Sequence, residues 1–372
     1  MLISQPLASQ LDPLRPLFHD VMRRLPDDEM AWLDLWDVPL LRALAHMGID
    51  PKFNKHPLPT DLASQYSFSL HLQIVEHLAS LSASAMMALP GASLSCHAVQ
   101  SVGTDSQKDF FFAPFQSGGP VQTFFAVTEP DVGSDVMHAS CTITDNADGT
   151  RRMNGQKTLI GGAKGAQVGL VFAQAADAPF GEVVMCDADM MSRFATTQSL
   201  NLVGLEGAGL CQLAITDMPA PRHLILGNGG SRLRGGLNAL TRVFERHRPM
   251  VAAMALGTAR ALMAGMAQAD VTPCQRLMQR FDVLYTQLVT IGTAYDAKTP
   301  TMAQASALKF SAVRLLRDIA VDFPKPLLVR NPALNAIYRS AKAFEYMEGT
   351  SNIHLLNARP HFTPKLGAQH AH

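Results

Sequence analysis

Apolar residues recur every three to four positions near both ends of the chain, a spacing that is typical of amphipathic helices. The spacing covers residues 13–25 and 70–87, and it returns from Leu237 to about Arg359. Glycine and proline at 117–120 end the first helical region. The pattern therefore predicts helices at both ends of the chain.

The middle of the chain has a different pattern, with short β-rich runs separated by turn residues. Runs of this kind occupy residues 121–127, 139–144, 151–154, 167–173, 182–186, 212–216 and 223–226. The sequence Asp-Asn-Ala-Asp-Gly at 145–149 is a hairpin turn signal between two of them. We therefore expect a mainly α protein with a central β domain, built as a barrel or a sandwich.

Domain boundaries follow from these changes of pattern. We predict an N-terminal helical domain over residues 1–119 and a central β domain over residues 120–235. A helical bundle of the four-helix type then covers residues 236–360, and residues 361–372 form a tail.

Composition and charge narrow the possible functions. The 372 residues carry no formal net charge and the isoelectric point is near 7.2, so nothing indicates a partner such as nucleic acid or an anionic membrane. The five cysteines lack metal-site spacing, which indicates reduced thiols in the cytoplasm and no metal centre. The N-terminus lacks the basic start and apolar block of a secretory signal. Arg260 interrupts the apolar stretch 249–269, so we expect a core helix there rather than a membrane span.

A first candidate site is Thr-Glu-Pro-Asp-Val-Gly-Ser-Asp at 128–135, directly after a predicted strand. Such a turn exposes backbone N–H groups and short hydroxyls, which can bind a cofactor ring or a phosphate. An ordinary surface turn capped by serine and aspartate is the alternative interpretation.

A second candidate site is Met-Glu-Gly-Thr-Ser at 347–351, after a helical run over residues 336–346. The glycine permits a ligand to approach the backbone closely. A carboxylate in an apolar pocket has a raised pKa, which suits Glu348 as a general base. A solvated glutamate at a helix end is the alternative.

A third candidate is Arg248, which begins a long apolar stretch, with Pro249 in what we predict to be the first helical turn. The Arg248 guanidinium can serve as a carboxylate partner or an active-site cation. A charge cluster at a helix start explains it equally well. His247 is either a titrating group or a supporting residue.

These segments, with two others, resemble the motifs of the acyl-CoA dehydrogenase family. The matches are Gly-Thr-x-x-Gln-Lys at 103–108, Thr-Glu-Pro-x-x-Gly-Ser-Asp at 128–135, Asn-Gly-x-Lys at 154–157, Arg-Pro-x-Val-Ala-Ala at 248–253, and Tyr-Arg-x-Ala-Lys followed by Glu-Gly-Thr-Ser at 338–351. Each match is moderately specific, but all of them occur in order and extend through most of the chain.

The resemblance implies helical N-terminal and C-terminal domains around a central β domain, with bound FAD. The residues that it assigns to FAD are Phe125, Val127, Thr128, Gly133, Ser134, Leu159, Gly161, Thr350 and Asn352. The residues that it assigns to the substrate are Ser134, Met347 and His247. Its catalytic group consists of Glu348, Gly349 and Arg248.

The reaction that the resemblance implies is the α,β-dehydrogenation of an acyl thioester, carried by CoA or by acyl carrier protein. Glu348 removes the α-proton while N5 of the flavin accepts a hydride from Cβ. The backbone N–H of Glu348 and a ribityl hydroxyl of the flavin bind the thioester oxygen. An electron-transfer flavoprotein or oxygen then reoxidises the flavin.

The chain departs from the family pattern around the cofactor. Leu159 and Gly161 stand where the family usually has tryptophan and threonine or serine against the flavin. The family's Arg-x-x-Phe-Gly segment, which contacts the neighbouring subunit's FAD, is not recognisable in residues 270–281. Arg276 or Arg280 are candidate substitutes.

Two further departures lie near the end of the chain. Residues 321–326 stand in place of the family's Gln-x-x-Gly-Gly loop, and the hairpin near 296–302 is shorter than usual. The short hairpin favours a homodimer, because this region helps to pair dimers in tetrameric relatives. The departures leave two alternatives open: an oxidase or monooxygenase on the same fold, or a non-redox thioester-binding protein that has lost FAD.

Overall fold

The computed structural model describes residues 5–133, 135–227 and 235–362. The helices of the first part are α1 Gln5–Leu11, α2 Arg15–Arg24, α3 Leu33–Trp36, α4 Pro39–Ala45, α5 Thr60–Ser64, α6 Phe68–Ala88, α7 Leu94–Val102 and α8 Asp105–Phe112. The central part consists of β1 Thr123–Ala126, β2 Thr142–Asp145, β3 Arg151–Gly161, β4 Val168–Ala175, β5 Ala178–Asp187, α9 Ala188–Phe194, β6 Ala195–Ser199 and β7 Leu210–Pro219. The last part consists of α10 Gly235–Gln268, α11 Gln275–Asp296, α12 Met302–Asp322, α13 Lys325–Arg330, α14 Pro332–Ser340 and α15 Ser351–Phe362. The predicted fold class, helices on both sides of a central β region in the sequence, is confirmed.

The chain divides into two compact units. The first takes its residues from Met1–Asp12, Tyr66–Leu81 and Glu245–His372, and the second from Pro13–Gln65 and Ser82–Phe244. One boundary falls within α6, where the extended backbone of Ser82 (φ −169°, ψ 116°) kinks the helix. Each unit therefore combines segments that are far apart in the sequence.

The second unit is built around a seven-stranded mixed sheet with the order β1-β4-β2-β3-β7-β6, and β5 also pairs with β4. The predicted turn at 145–149 joins the antiparallel strands β2 and β3. Alternate residues of β4 belong to different cores, because successive side chains of a strand point to opposite faces. Phe172 packs in one core with Phe111 of α8, whereas Val171 packs in the other with Leu213 of β7.

Two parts of the strand prediction in this unit are wrong. The run at 223–226 is not a strand, because a 3-10 turn at Arg222–Leu224 follows Pro221 and only Ile225 forms an isolated bridge. Strand β6 has no counterpart in the prediction, since its sequence Ala-Thr-Thr-Gln-Ser is polar and largely exposed. An exposed edge strand lacks the apolar alternation by which strands are recognised.

The first unit consists of long helices that approach one another closely at small residues. A Cβ added to Gly257 of α10 would lie 2.1 Å from the backbone oxygen of Glu76 in α6. The Glu76 carboxylate accepts hydrogen bonds of 2.9 and 2.8 Å from Arg260. Burial raises the pKa of the Glu76 carboxyl to about 7, although the positive charge of Arg260 opposes the increase.

Helix α10 begins earlier than predicted. We expected Arg248 and Pro249 in its first turn, but the helix starts at Gly235 and Pro249 lies inside it. A proline at an interior position lacks the N–H that would complete a helical hydrogen bond. The segment Gly236–Gln268 is long and apolar enough to cross a membrane, yet 61% of its most apolar window is buried within the structure. We therefore retain the prediction of a core helix.

Two connections near the end of the chain lie where departures from the family pattern were expected. Helix α11 ends at Asp296 and α12 begins at Met302, so the hairpin loop between them is short. Helix α12 ends at Asp322, and the buried Phe323 precedes Pro324 and the next helix.

Candidate active site

Glu348 lies in a tight turn between two helices of the first unit. The helix expected over residues 336–346 ends early, at Ser340, and α15 begins at Ser351. Between them, Glu348 (φ 53°) and Gly349 (φ 104°) both have left-handed backbone conformations. Glycine adopts this conformation freely, whereas a residue with a Cβ does so at a cost of about 1–2 kcal/mol. Contacts with neighbouring helices must therefore hold the turn.

The Glu348 side chain is half-buried. Burial raises the pKa of the Glu348 carboxyl to about 7, although the positive charges of Arg248 and Lys309 oppose the increase. A carboxyl group with a pKa near neutrality can accept a proton and release it again at physiological pH, as a general base must. These surroundings match the general-base interpretation better than that of a solvated glutamate.

Arg248 contacts the backbone of the same turn. Its Nε donates to the Glu348 carbonyl at 3.4 Å, and its Nη1 donates to the Ser306 hydroxyl at 3.0 Å. The guanidinium is buried, and burial lowers its pKa below the ordinary value. Arg248 is therefore a buried cation beside Glu348, which favours an active-site role over a simple surface charge.

Two residues that the sequence analysis did not single out also contact the turn. Lys309 of α12 donates to the Gly349 carbonyl at 2.8 Å, and His354 of α15 lies 2.9 Å from the same oxygen through Nε2. Both side chains are fully buried. The available sequence signal was a single charge, Lys309, in the apolar run 305–313, because a charged residue on a buried helix face requires a specific partner.

The remaining residues assigned to this part of the site differ in exposure. His247 is buried, Met347 and Thr350 are half-buried, and Asn352 is exposed in the first turn of α15. Met347 and Thr350 flank the left-handed pair of residues directly, so both are placed to contact a ligand at the turn.

In the second unit, a buried ion pair holds the turn that follows β1. The ammonium of Lys157 donates to the Glu129 carboxylate at 2.8 Å and to the Val127 carbonyl at 3.0 Å. The carboxylate also accepts hydrogen bonds from the Ser140 hydroxyl and from the backbone N–H groups of Ser140 and Cys141. Burial raises the pKa of the Glu129 carboxyl, but these partners outweigh burial and hold the pKa below its usual value. Two of the family motifs therefore meet in one ion pair.

The residues assigned to the flavin ring lie near this turn and are incompletely buried. They are Phe125, Val127, Thr128, Leu159 and Gly161. The Thr158 N–H donates to the Thr128 carbonyl at 2.9 Å, which brings β3 beside the start of the turn. Leu159 is 50% exposed and has a left-handed backbone (φ 58°), so a large apolar side chain faces outward here. Apolar surface of this kind is what a planar ring system covers.

The phosphate end of the cofactor would require an open, polar turn. A Cβ added to Gly133 would meet no atom within 4 Å, so the backbone there is accessible. Ser134, the next residue, lies outside the described residues. Of the two arginines in the first unit that are candidate substitutes for the family's missing segment, Arg276 is exposed, whereas Arg280 donates to Asp318 at 2.7 Å. The residues present thus fit the flavin that the resemblance implies. Within the described ranges, no group of three or more His, Cys, Asp or Glu residues could hold a metal ion.

Two family models match this chain. Residues 124–218 match the middle domain of acyl-CoA dehydrogenases, and residues 234–359 match their C-terminal domain. A short-chain-specific acyl-CoA dehydrogenase of Megasphaera elsdenii is 28% identical over 197 residues, which are 52% of this chain and 50% of the relative. The match therefore spans about half the length of that relative.

Solved structures share the fold over almost the whole chain. An acyl-CoA dehydrogenase from Geobacillus kaustophilus has a TM-score of 0.77 at 17% identity and covers 96% of each chain. A glutaryl-CoA dehydrogenase from Mycobacterium smegmatis, in complex with FADH2, has a TM-score of 0.68 at 16% identity and covers 95% of this chain and 96% of its own. The chain belongs to the acyl-CoA dehydrogenase family, whose members are FAD-dependent oxidoreductases.

Proposed function

We propose that this chain is a flavin-dependent dehydrogenase of acyl thioesters and that Glu348 is its general base. The observation that carries the proposal is the half-buried Glu348 carboxyl, whose pKa of about 7 permits proton removal near neutral pH. Membership of the family supports the reaction class, and the Megasphaera elsdenii relative is named as an acyl-CoA dehydrogenase.

Two groups of the Glu348 turn act on the thioester. The ionised carboxylate removes the α-proton, which is weakly acidic. The backbone N–H of Glu348 makes no hydrogen bond to any other described residue, so it is available to donate to the thioester oxygen. Such a donor stabilises the negative charge that develops on that oxygen. FAD, when bound, supplies the acceptor for the hydride that leaves Cβ.

The turn after β1 prepares the flavin side of the reaction. The buried Lys157–Glu129 pair holds the backbone of Val127, while Phe125 and Leu159 offer apolar surface to the ring. We therefore assign cofactor binding to this turn and proton removal to Glu348.

Two carriers of the acyl group fit the proposal, CoA and acyl carrier protein, because both present the same pantetheine arm. The names of the relatives favour CoA. A shortened member of the family suits a dedicated biosynthetic pathway, where carrier-protein substrates are common. We further propose a homodimer, from the short loop between α11 and α12, and an electron-transfer flavoprotein as the oxidant.

The absorbance spectrum of the purified protein is the first test. Bound oxidised flavin gives bands at roughly 370 and 450 nm, and anaerobic loss of the second band on adding an acyl thioester identifies a substrate. Hydrogen peroxide formation during turnover would instead support an oxidase. A colourless protein that takes up no added FAD would contradict the dehydrogenase and support a non-redox role for Glu348.

Glu348→Gln tests the base directly, and the same unit offers a matched control. The variant should lose roughly 100- to 10,000-fold in turnover while its flavin content is unchanged. Glu76→Gln is the matched control, because Glu76 is another glutamate of the first unit whose pKa is raised to about 7. Glu76 lies far from the Glu348 turn in the sequence, so this variant should leave turnover nearly normal. Near-normal turnover of Glu348→Gln would remove Glu348 from the mechanism.

A further inference from the structure

Lys309 is a buried cation for which the proposed reaction has no direct use. Its side chain is fully buried in α12, where ordinary packing would favour an apolar residue. Its ammonium donates to two backbone carbonyls, those of Gly349 at 2.8 Å and Glu345 at 3.1 Å. Both carbonyls belong to the segment that carries Glu348. Among the described residues, all hydrogen bonds of this buried charge go to that segment, which indicates a specific task there.

His354 contacts the same carbonyl from another direction. Its Nε2 lies 2.9 Å from the Gly349 oxygen, and because a carbonyl only accepts, the ring must donate through Nε2–H. Burial, followed by the positive charges of Lys309 and Arg248, lowers the pKa of His354 to about 3. The imidazole is therefore neutral at physiological pH. The two lone pairs of the Gly349 oxygen are thus used by one ammonium and one imidazole.

The neighbouring carbonyl is held in a similar way. Arg248 donates to the Glu348 oxygen, so consecutive carbonyls of the left-handed pair each have a buried donor. Glu345 adds a further link, since its carboxylate accepts from the Ser351 N–H at 3.0 Å. These hydrogen bonds come from helices on both sides of the turn. They offset the cost of placing a glutamate in a left-handed conformation.

We propose that Lys309 is a positioning residue for Glu348: with His354 it holds the Gly349 carbonyl and fixes the turn that presents the carboxylate and the backbone N–H. This inference rests on the proposed function. Lys309 acts through the turn and does not touch the thioester.

Lys309 also acts through its charge. Burial lowers the pKa of its ammonium to about 8, against the opposing effect of Glu345 and Glu348, and Arg248 lowers it further. The ammonium is charged at pH values below this pKa. Its charge favours the ionised form of Glu348 and lowers the pKa of the base.

Lys309→Met is the main test, because methionine fills the space of the lysine stem without a donor or a charge. Proton removal is measured apart from redox chemistry, as deuterium exchange of the α-protons of 3-thiaoctanoyl thioesters of CoA and of pantetheine. These probes have no hydrogen at position 3 to leave as hydride. The exchange rate should fall by roughly 100-fold, as for a displaced catalytic group. The midpoint of its pH profile should move up by about one pH unit, because the base has lost a nearby cation.

Two further variants separate geometry from charge. His354→Leu removes the second donor to Gly349 but no charge, so its exchange rate should fall while its pH midpoint stays constant. Lys309→Arg keeps charge and donors and should recover much of the rate. Lys325→Met, at an exposed lysine on α13, is the matched control and should behave as wild type.

Amide hydrogen exchange measured by mass spectrometry tests the positioning without any substrate. Deuterium uptake of the peptide covering residues 343–352 should rise in Lys309→Met and in His354→Leu and stay unchanged in Lys325→Met. Unchanged uptake together with a wild-type pH midpoint would overturn the inference even if Glu348 is the base. Absence of α-proton exchange in the wild type would instead contradict the proposed function, and the peptide uptake would still decide the role of Lys309.

Discussion

The buried pair of Lys157 and Glu129 permits a quantitative prediction. In Lys157→Met the Glu129 carboxylate stays buried and keeps its hydrogen bonds to Ser140 and Cys141, but it loses its only cation among the described residues. Removing one partner of a buried ion pair costs about 3–5 kcal/mol, because the remaining charge is left uncompensated. We expect the free energy of unfolding to fall by about this amount at about pH 8.

Tryptophan fluorescence during urea unfolding is a suitable assay. The chain has two tryptophans, Trp32 and Trp36, and both are buried in the second unit, which also contains the ion pair. The fluorescence of these tryptophans therefore reports on the unit in which the change is made.

The double variant Glu129→Gln/Lys157→Met removes both charges and should recover part of the lost free energy of unfolding.

The pH dependence has a definite sign. The pKa of Glu129 is lowered in the folded protein, so its stabilising contribution is present above the unfolded pKa and is lost as pH falls through the folded pKa. Lys157→Met lacks this contribution, so wild type and variant should converge on acidification. A difference below about 1 kcal/mol, the range of solvent-exposed pairs, or one that does not change with pH, would refute the reasoning.

Four further predictions concern the first unit. Gly257→Ala should destabilise the protein although alanine favours helices, because the new Cβ would meet the Glu76 carbonyl at 2.1 Å; thermal unfolding checks this. Pro249→Ala should raise the melting temperature, since it adds a helical N–H that is worth up to about 3 kcal/mol. Gly349→Ala should lower turnover and stability, because a Cβ at φ 104° is strained by about 1–3 kcal/mol; wild-type values would contradict the strain. The wild-type kcat/KM should rise with pH through about 7, because Glu348 must be ionised to act as a base, and a flat profile would count against it.

Much of the architecture was predictable because hydrophobic periodicity is a local property. The helical spacing at both ends and the turn residues at 145–149 led to the correct order of helical and β regions. Strand β6 was not predicted because an exposed edge strand has no apolar face. The start of α10 was misplaced because Pro249 favours a first turn, but packing of the long helix tolerates it inside.

The candidate site was only partly predictable, because motifs are also a local property and do not show which distant residues meet. The motif around Glu348 indicates the residue that we propose as the base and the glycine beside it, and Arg248 stands out as a charge beside an apolar stretch. The sequence did not predict the conformation of the turn, since a left-handed glutamate is uncommon and depends on its surroundings.

The sequence by itself determined the family motifs, the succession of helical, β and helical regions, and the glutamate that we propose as the base. The tertiary structure decided which distant residues meet: Lys309 binds Gly349 across 40 positions, and Lys157 binds Glu129 across 28. It also decided the pKa of Glu348, because burial and two neighbouring cations act on that carboxyl together. Periodicity and motifs describe neighbours along the chain, whereas buried charges and their partners depend on distances that exist only after the chain has folded.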